Sequence, residues 1–444
     1  MLTNISSIDG RYFEKTRSLE PFFSEHALFK YRVKVEILYF IQLIKTGVLN
    51  INLDKVLEQK LNFVYQNYTV EDSKKIKEFE KTTKHDIKAV EYFVKEKLQV
   101  LGLDKFVEFV HFGLTSQDIN NTAFPLLLKD ASEAVVIPFV ESLINDLIKL
   151  IEQIGHLPML ARTHGQPASP TTLGKEISVF VERLEAQLKG FKKLNFSGKF
   201  GGATGNLNAH KVAFPNINWP EWCNVFLNEQ LGILRQQTTT QIAHYDEIAE
   251  WCHVLIRINT VLLDFCKDIW TYISMDYFKQ KIIKGEIGSS AMPHKVNPID
   301  FENAEGNLSF ANAMLSFLAE KLPISRLQRD LTDSTVLRNV GTPVGHMLIS
   351  FQSIAQGLSK LEVNRTKVLE ELNSHWIVLA EAIQTVLRRE GYDQPYEKLK
   401  ELTRGKTSIS QEDLIIFIDN LDVKDSLKLE LKSITPTSYI GYAQ

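Results

Sequence analysis

F-V-E-S-L-I-N-D-L-I-K-L-I-E-Q-I, residues 139–154, carries its apolar side chains at spacings of three and four. Phe139, Val140, Leu143, Ile144, Leu147, Ile148, Ile151 and Ile154 draw one continuous stripe along a helix, and Gly155 and Pro158 stop it. The same period recurs over 24–45, 172–194, 241–283, 300–322 and 333–361, while strand-type alternation is scarce. Several of these stretches exceed the globular mean of about 11 to 12 residues. Long helices bury broad apolar faces against one another, which predicts an all-α protein whose middle, residues 113–361, is a bundle of long helices. Smaller helical domains are expected over 1–112 and 362–444. The faces are wide enough to bury helices on more than one side, which leaves room for chains to associate.

Composition narrows the class. The 444 residues are 44% hydrophobic and 24% charged, ordinary globular values that exclude disordered, collagenous and disulfide-scaffold chains. A formal net charge of −3 supplies no basic footprint for nucleic acid or an anionic membrane. Cys223, Cys252 and Cys266 are widely spaced and form no C-x-x-C pair, so reduced thiols in a cytoplasmic protein are expected. Residues 1–10 hold no charged segment followed by an apolar run, and no export leader is expected. The apolar run 253–273 is interrupted by Arg257, Asp264, Lys267 and Asp268, which fits a helix among helices better than a membrane span.

The chemistry-bearing stretches fall at expected helix ends and loops. In R-T-H-G-Q-P-A (162–168), His164 sits on a constrained turn between helices. Its ring suits proton transfer near neutrality, or it satisfies backbone carbonyls in the turn. H-F-G-L-T-S-Q-D (111–118) and T-K-H-D (83–86) both read as helix starts, with Thr115 or Ser116 as cap and Asp118 in the first turn. A helix start also offers unpaired N–H groups to an anion, and His85 and His111 lie close by. In Q-R-D-L-T-D-S-T-V-L-R-N (328–339), Ser334 and Arg338 share a helical face while Arg329 precedes the helix. Two guanidiniums and a hydroxyl suit a phosphate or carboxylate, and a solvated charged face is the alternative. G-K-F-G-G-A-T-G-N (198–206) lacks the G-K-[ST] ending and a preceding strand, so it is read as a flexible turn and not a phosphate loop.

The most unusual stretch is E-I-G-S-S-A-M-P-H-K-V-N-P-I-D (286–300). A surface turn would use the same Gly, Ser and Pro. No G-x-S-x-G elbow is present, so a hydrolase serine is disfavoured. Lys295 and Asn297 could instead stabilise a carboxylate that develops into a dianion while a serine takes a proton from the adjacent carbon, on a loop that shuts water out.

G-S-S-A-M-P-H-K-V-N-P closely resembles the signature G-S-S-x-M-P-x-K-x-N-P of the fumarase/aspartase/argininosuccinate lyase superfamily, whose members release fumarate by breaking C–N or C–O bonds. D-G-R-Y, H-D-I-K-A-V-E, H-F-G-L-T-S-Q-D-I-N-N, R-T-H-G-Q-P-A and Q-R-D-L-T-D-S-T-V-L-R-N follow in the order of the adenylosuccinate lyase family, bacterial subgroup, from about Ser7 to Tyr442. The resemblance implies removal of fumarate from adenylosuccinate and from the succinylated aminoimidazole carboxamide ribotide. It makes His164 the general acid and Ser289 the base that takes the succinyl β-proton. It implies that Arg11, Tyr12, Arg329, Ser334 and Arg338 hold phosphate and ribose, and that His85, Asp86, Thr115, Ser116, Gln241, Lys295 and Asn297 hold the succinyl and base portions. Asn303 stands where part of the family has Arg, and Lys84 is given no role. It further implies an all-α homotetramer with each active site drawn from three chains, and neither cofactor nor metal. Another fumarate-releasing lyase is the nearest rival, but those substrates lack the phosphate that the arginine set suits. A retired, non-catalytic scaffold would have no reason to keep both His164 and Ser289.

Overall fold

A computed structural model describes residues 2–281, 292, 296–404 and 409–443. Helices dominate, joined by strands of two or three residues. The chain divides into two compact units, one of residues 1–140, 187–260 and 306–350, the other of 141–186, 261–305 and 351–444. Every division falls within a long helix, among them Ile137–Ile154 and Asp246–Ser274.

The first unit is organised around the helix Glu25–Lys45, in which every residue from 31 to 44 except Lys34 is buried. It packs on the helices Lys55–Gln66, Asp86–Val100 and Ser116–Ala131. A helix covered all round must find internal partners for its polar groups, here Arg32, Glu36 and Gln42. The T-K-H-D stretch both ends one helix and starts the next. Lys84 closes Val70–Thr83 in the left-handed conformation (φ 52°), and His85 Nδ1 accepts the Lys88 N–H at 3.2 Å to open Asp86–Val100.

Thr115 caps Ser116–Ala131 as the sequence suggests, its N–H donating to Asp118 at 2.8 Å. Pro125 inside this helix has no N–H for the Asn121 carbonyl four residues earlier. The Lys199 N–H donates to that carbonyl at 3.3 Å, so a helix fault becomes the docking point of Ser197–Gly198, which pairs parallel with Leu234–Arg235.

In the second unit the stripe read at 139–154 continues as the later part of Ile137–Ile154, with Leu143, Ile144, Leu147, Leu150 and Ile154 buried. Gly155 closes it at φ 61°. Near the C-terminus, Leu379, Ile383, Leu387, Leu399, Leu414, Ile418 and Leu431 form a separate apolar cluster.

Three readings change. The helix expected over 241–283 runs only from Asp246 to Ser274. Residues before it are held by side chains, since Asn121 Oδ1 accepts the Ala243 N–H and Gln236 Oε1 the His244 N–H. After it, Asp276 turns at φ 62° and Phe278–Gln280 pairs antiparallel with Leu361–Val363. The helix expected over 333–361 is two, Thr332–Leu337 and Gly341–Lys360, because the chain turns at 338–340 where Phe23 packs against Gly341. The glycine stretch 198–206 is a pinned loop and not a flexible turn, as Asp118 accepts from the Gly201 and Gly202 N–H groups.

Cys223, Cys252 and Cys266 are free and buried, and burial pushes the Cys223 and Cys252 thiols up to about 12. Among the described residues, no helix is long and apolar enough to cross a membrane.

Candidate active site

Several of the sequence candidates meet in one cleft of about 280 Å³ in the first unit. His85, Asp86, Ser116, Arg329, Ser334 and Arg338 line it, together with Arg32, Gln117 and Asn120. Asp86 is the hub. Its Oδ2 accepts from Arg32 Nη2 at 2.8 Å and from Arg338 Nη2 at 2.9 Å. Burial works to raise its carboxyl pKa, but the two guanidiniums and the Ile87 N–H outweigh burial and hold it below the ordinary range. Asp86 therefore stays ionised and fixes two cations.

In the same cleft, Arg329 Nη2 donates to Ser334 Oγ at 2.8 Å and Gln117 Nε2 to the same oxygen at 3.3 Å. His85 Nδ1 is occupied as an acceptor at the helix cap, so in the neutral ring the hydrogen sits on Nε2, which faces Ser116 Oγ at 3.4 Å. Arg32, Lys84, Arg329 and Arg338 put four cations in the lining against the two carboxylates of Glu80 and Asp86. That excess of positive charge, with hydroxyls and amides between, suits a ligand carrying more than one negative charge.

Other candidates in the first unit do not line the cleft. Thr115 caps the helix that presents Ser116. Gln241 Nε2 donates to the Ala203 carbonyl at 3.1 Å. The Arg11 guanidinium lies 5.8 Å from the Tyr12 ring centre. Asp9 and Phe13, on either side of that pair, border a second hollow of about 320 Å³ that shares Arg338 with the cleft.

His164 belongs to the second unit, at the tip of a two-residue hairpin. Thr163 pairs with Gln166, and His164 and Gly165 both have positive φ, 54° and 74°. This turn matches the twist of its strands but favours Gly, Asn or Asp, so a histidine there is held at some cost. Arg162 secures it, with Nη1 donating to the Gly165 carbonyl at 3.1 Å and Nη2 bonded to Glu371. The ring is exposed. Asn297 is half-buried, and Asn303 accepts from Ser353 Oγ at 3.3 Å. Ser289 and Lys295 lie outside the described residues.

The lining also takes Arg32, Gln117 and Asn120, to which the motifs give no role, and Lys84, to which the resemblance gives none. Arg32 left little signal, since Lys30 and Lys34 flank it on the same helix, and of the three only Arg32 is buried. His111, noted beside the cap, bonds inward: Nδ1 lies 2.6 Å from Oε1 of the buried Glu36. Among the described residues no group of His, Cys, Asp and Glu is placed to hold a metal ion.

Comparison with known proteins identifies the family. The family model described as Lyase matches residues 10–312, and the one described as Adenylosuccinate lyase C-terminal matches 325–440. The solved 3-carboxy-cis,cis-muconate lactonizing enzyme of Pseudomonas putida superposes with a TM-score of 0.74 over 96% of this chain and 94% of that one, at 20% identity, a likeness of fold alone. The protein is thus an all-α lyase.

The adenylosuccinate lyase of Dictyostelium discoideum is 54% identical over 451 residues, covering 99% of this chain and 97% of that protein. The adenylosuccinate lyase of Escherichia coli K12 is 48% identical over 447 residues, covering 100% and 97%. The chain belongs to the adenylosuccinate lyase family.

Proposed function

We propose that this chain removes fumarate from adenylosuccinate, giving AMP, and from the succinylated aminoimidazole carboxamide ribotide, giving the free carboxamide ribotide. The observation that carries the reading is full-length identity of 54% to an adenylosuccinate lyase, joined to a cleft whose cations outnumber its carboxylates. Both substrates combine a phosphate with a succinyl dicarboxylate, which is the multiply anionic ligand such a cleft suits.

The reaction is an anti β-elimination. Ser289 takes the succinyl β-proton, the electron pair forms the C=C bond, the C–N bond breaks, and His164 returns a proton to the departing nitrogen. Arg11, Tyr12, Arg329, Ser334 and Arg338 hold the phosphate and ribose. His85, Asp86, Thr115, Ser116, Gln241, Lys295, Asn297 and Asn303 hold the succinyl and base portions, with Lys295 and Asn297 steadying the dianion that forms after proton loss. The braced hairpin supports the role of His164, because a proton donor gains from a backbone held in one conformation. We further propose a cytoplasmic homotetramer whose sites draw on three chains.

Purified protein mixed with adenylosuccinate tests the reading, with AMP followed by ultraviolet absorbance and fumarate quantified separately. Equal release of both products is expected, and Ser289→Ala or His164→Gln should lower kcat by several orders of magnitude in folded protein. Turnover of a different fumarate adduct, or none in folded protein, would replace the proposal with another lyase activity or with a retired scaffold.

A further inference from the structure

Behind the cleft, three buried side chains stand in series. Asn121 is 1% exposed, Tyr245 2% and Asp333 5%, and all belong to the first unit. Asn121 Nδ2 lies 2.7 Å from Tyr245 Oη, and Tyr245 Oη lies 2.8 Å from Asp333 Oδ2. The direction of these bonds follows from the partners. Asn121 Oδ1 accepts the Ala243 N–H at 2.7 Å, which fixes the amide so that Nδ2 faces the tyrosine. An amide nitrogen only donates and an ionised carboxylate only accepts, so the tyrosine hydroxyl receives from Asn121 and gives to Asp333.

Asp333 passes the order to the cleft. Its Oδ1 accepts the Ser334 N–H at 2.7 Å and lies 3.6 Å from Arg329 Nε. The same Arg329 donates through Nη2 to Ser334 Oγ. Asp333 thus holds both the backbone that presents Ser334 and one edge of the Arg329 fork. A planar guanidinium binds an anion well only when its plane is set, and here one edge is set by a carboxylate that is itself set by Tyr245.

The backbone at Tyr245 adds an independent observation. Its φ is 64°, left-handed for a bulky residue immediately before the helix Asp246–Ser274. Such a conformation persists only where surrounding contacts over-determine it, and the bonds of Asn121 to Ala243 and to Tyr245 Oη do so.

We propose that Tyr245 is a positioning residue for ligand binding: through Asp333 it sets the orientation of Arg329 and Ser334. The proposal rests on the reading of Arg329 and Ser334 as the clamp for the anionic end of the substrate. Tyr245 itself neither lines the cleft nor takes part in proton transfer.

Steady-state kinetics with adenylosuccinate on the full chain tests it, with Tyr245→Phe made alone and in an Arg329→Ala background. Loss of one hydrogen bond to a charged group predicts a KM about tenfold higher, with kcat within about twofold and no further rise when Arg329 is absent. Asp333→Asn keeps the shape, weakens the hold on Arg329, and should raise KM in the same Arg329-dependent way. It carries the test if Tyr245→Phe does not fold. An unchanged KM in both variants while Arg329→Ala raises it, or an equal rise with and without Arg329, overturns the proposal. If Arg329→Ala itself leaves KM unchanged, the clamp reading fails, and the proposal falls with it.

Discussion

Asp86 and Asp118 each stand in the first turn of a helix and each meet cations, yet they are used differently. Asp118 is fully buried, and five hydrogen bonds fill its two oxygens: Lys199 Nζ, the Gly201 N–H, the Gly202 N–H to both oxygens, and the Thr115 N–H. Asp86 is partly open to a cleft, and the cations it fixes sit in the lining. A carboxylate saturated from inside the chain is a rivet. One whose partners border an open volume organises cations for something that enters.

The comparison predicts opposite failures. Asp118→Ala leaves the wholly buried Lys199 ammonium without its counter-charge, and breaking such a pair costs about 3–5 kcal/mol. Denaturant unfolding should show a loss of that size, with activity lost alongside. A change below about 1 kcal/mol would deny Asp118 the part of rivet. Gly205→Ala strikes the same loop by another route, since a Cβ there would lie 2.3 Å from the Thr239 carbonyl oxygen at φ 80°. A fall in stability without full unfolding is expected, of about 1–3 kcal/mol for steric strain.

On the open side the order of effects reverses. Arg338 is nearly half exposed and donates to Asp86 beside the buried Arg32. Arg338→Ala should shift stability by no more than about 0.5 kcal/mol, as exposed substitutions do. Its effect belongs in KM for the phosphorylated substrate, about tenfold or more, with kcat moved less. A large stability loss with unaltered KM would make Arg338 a second rivet and remove it from the binding set.

The same contrast explains what could be read from sequence. Stripes such as 139–154 and caps such as Thr115 with Asp118 are local, so period and spacing disclose them. The order of motifs carried the family, and the cleft gathers His85, Asp86, Ser116, Arg329, Ser334 and Arg338 from three separate stretches. What stayed hidden depends on distant partners. The glycine loop reads as a turn because the carboxylate that pins it lies 83 residues away in the chain. The helix breaks at 241–245 and 338–340 depend on Asn121 and on Phe23. Arg32 stands on its helix among Lys30, Lys34 and Glu36, and only its contact with Asp86 gives it a place.

Glu36 sharpens the comparison, being a fully buried carboxylate whose partner can titrate. His111 donates to it through the backbone at 3.2 Å and approaches through Nδ1 at 2.6 Å. Burial lowers the imidazole pKa, but the charge of Glu36 and its hydrogen bond outweigh burial, so the value lies above the ordinary 6.5. A histidine that binds its proton more tightly when folded contributes stability that is complete below about pH 6.5 and is lost as the pH rises through the raised folded value. Unfolding free energy should therefore fall across the range above pH 6.5, with a slope no steeper than about 1.4 kcal/mol per pH unit, the limit for one proton. His111→Gln should remove that component of the slope and leave Asp118 and Asp86 untouched. Identical slopes in the two proteins would mean that Glu36 is filled without a proton on His111, and the pair would join Asp118 as a rivet indifferent to pH.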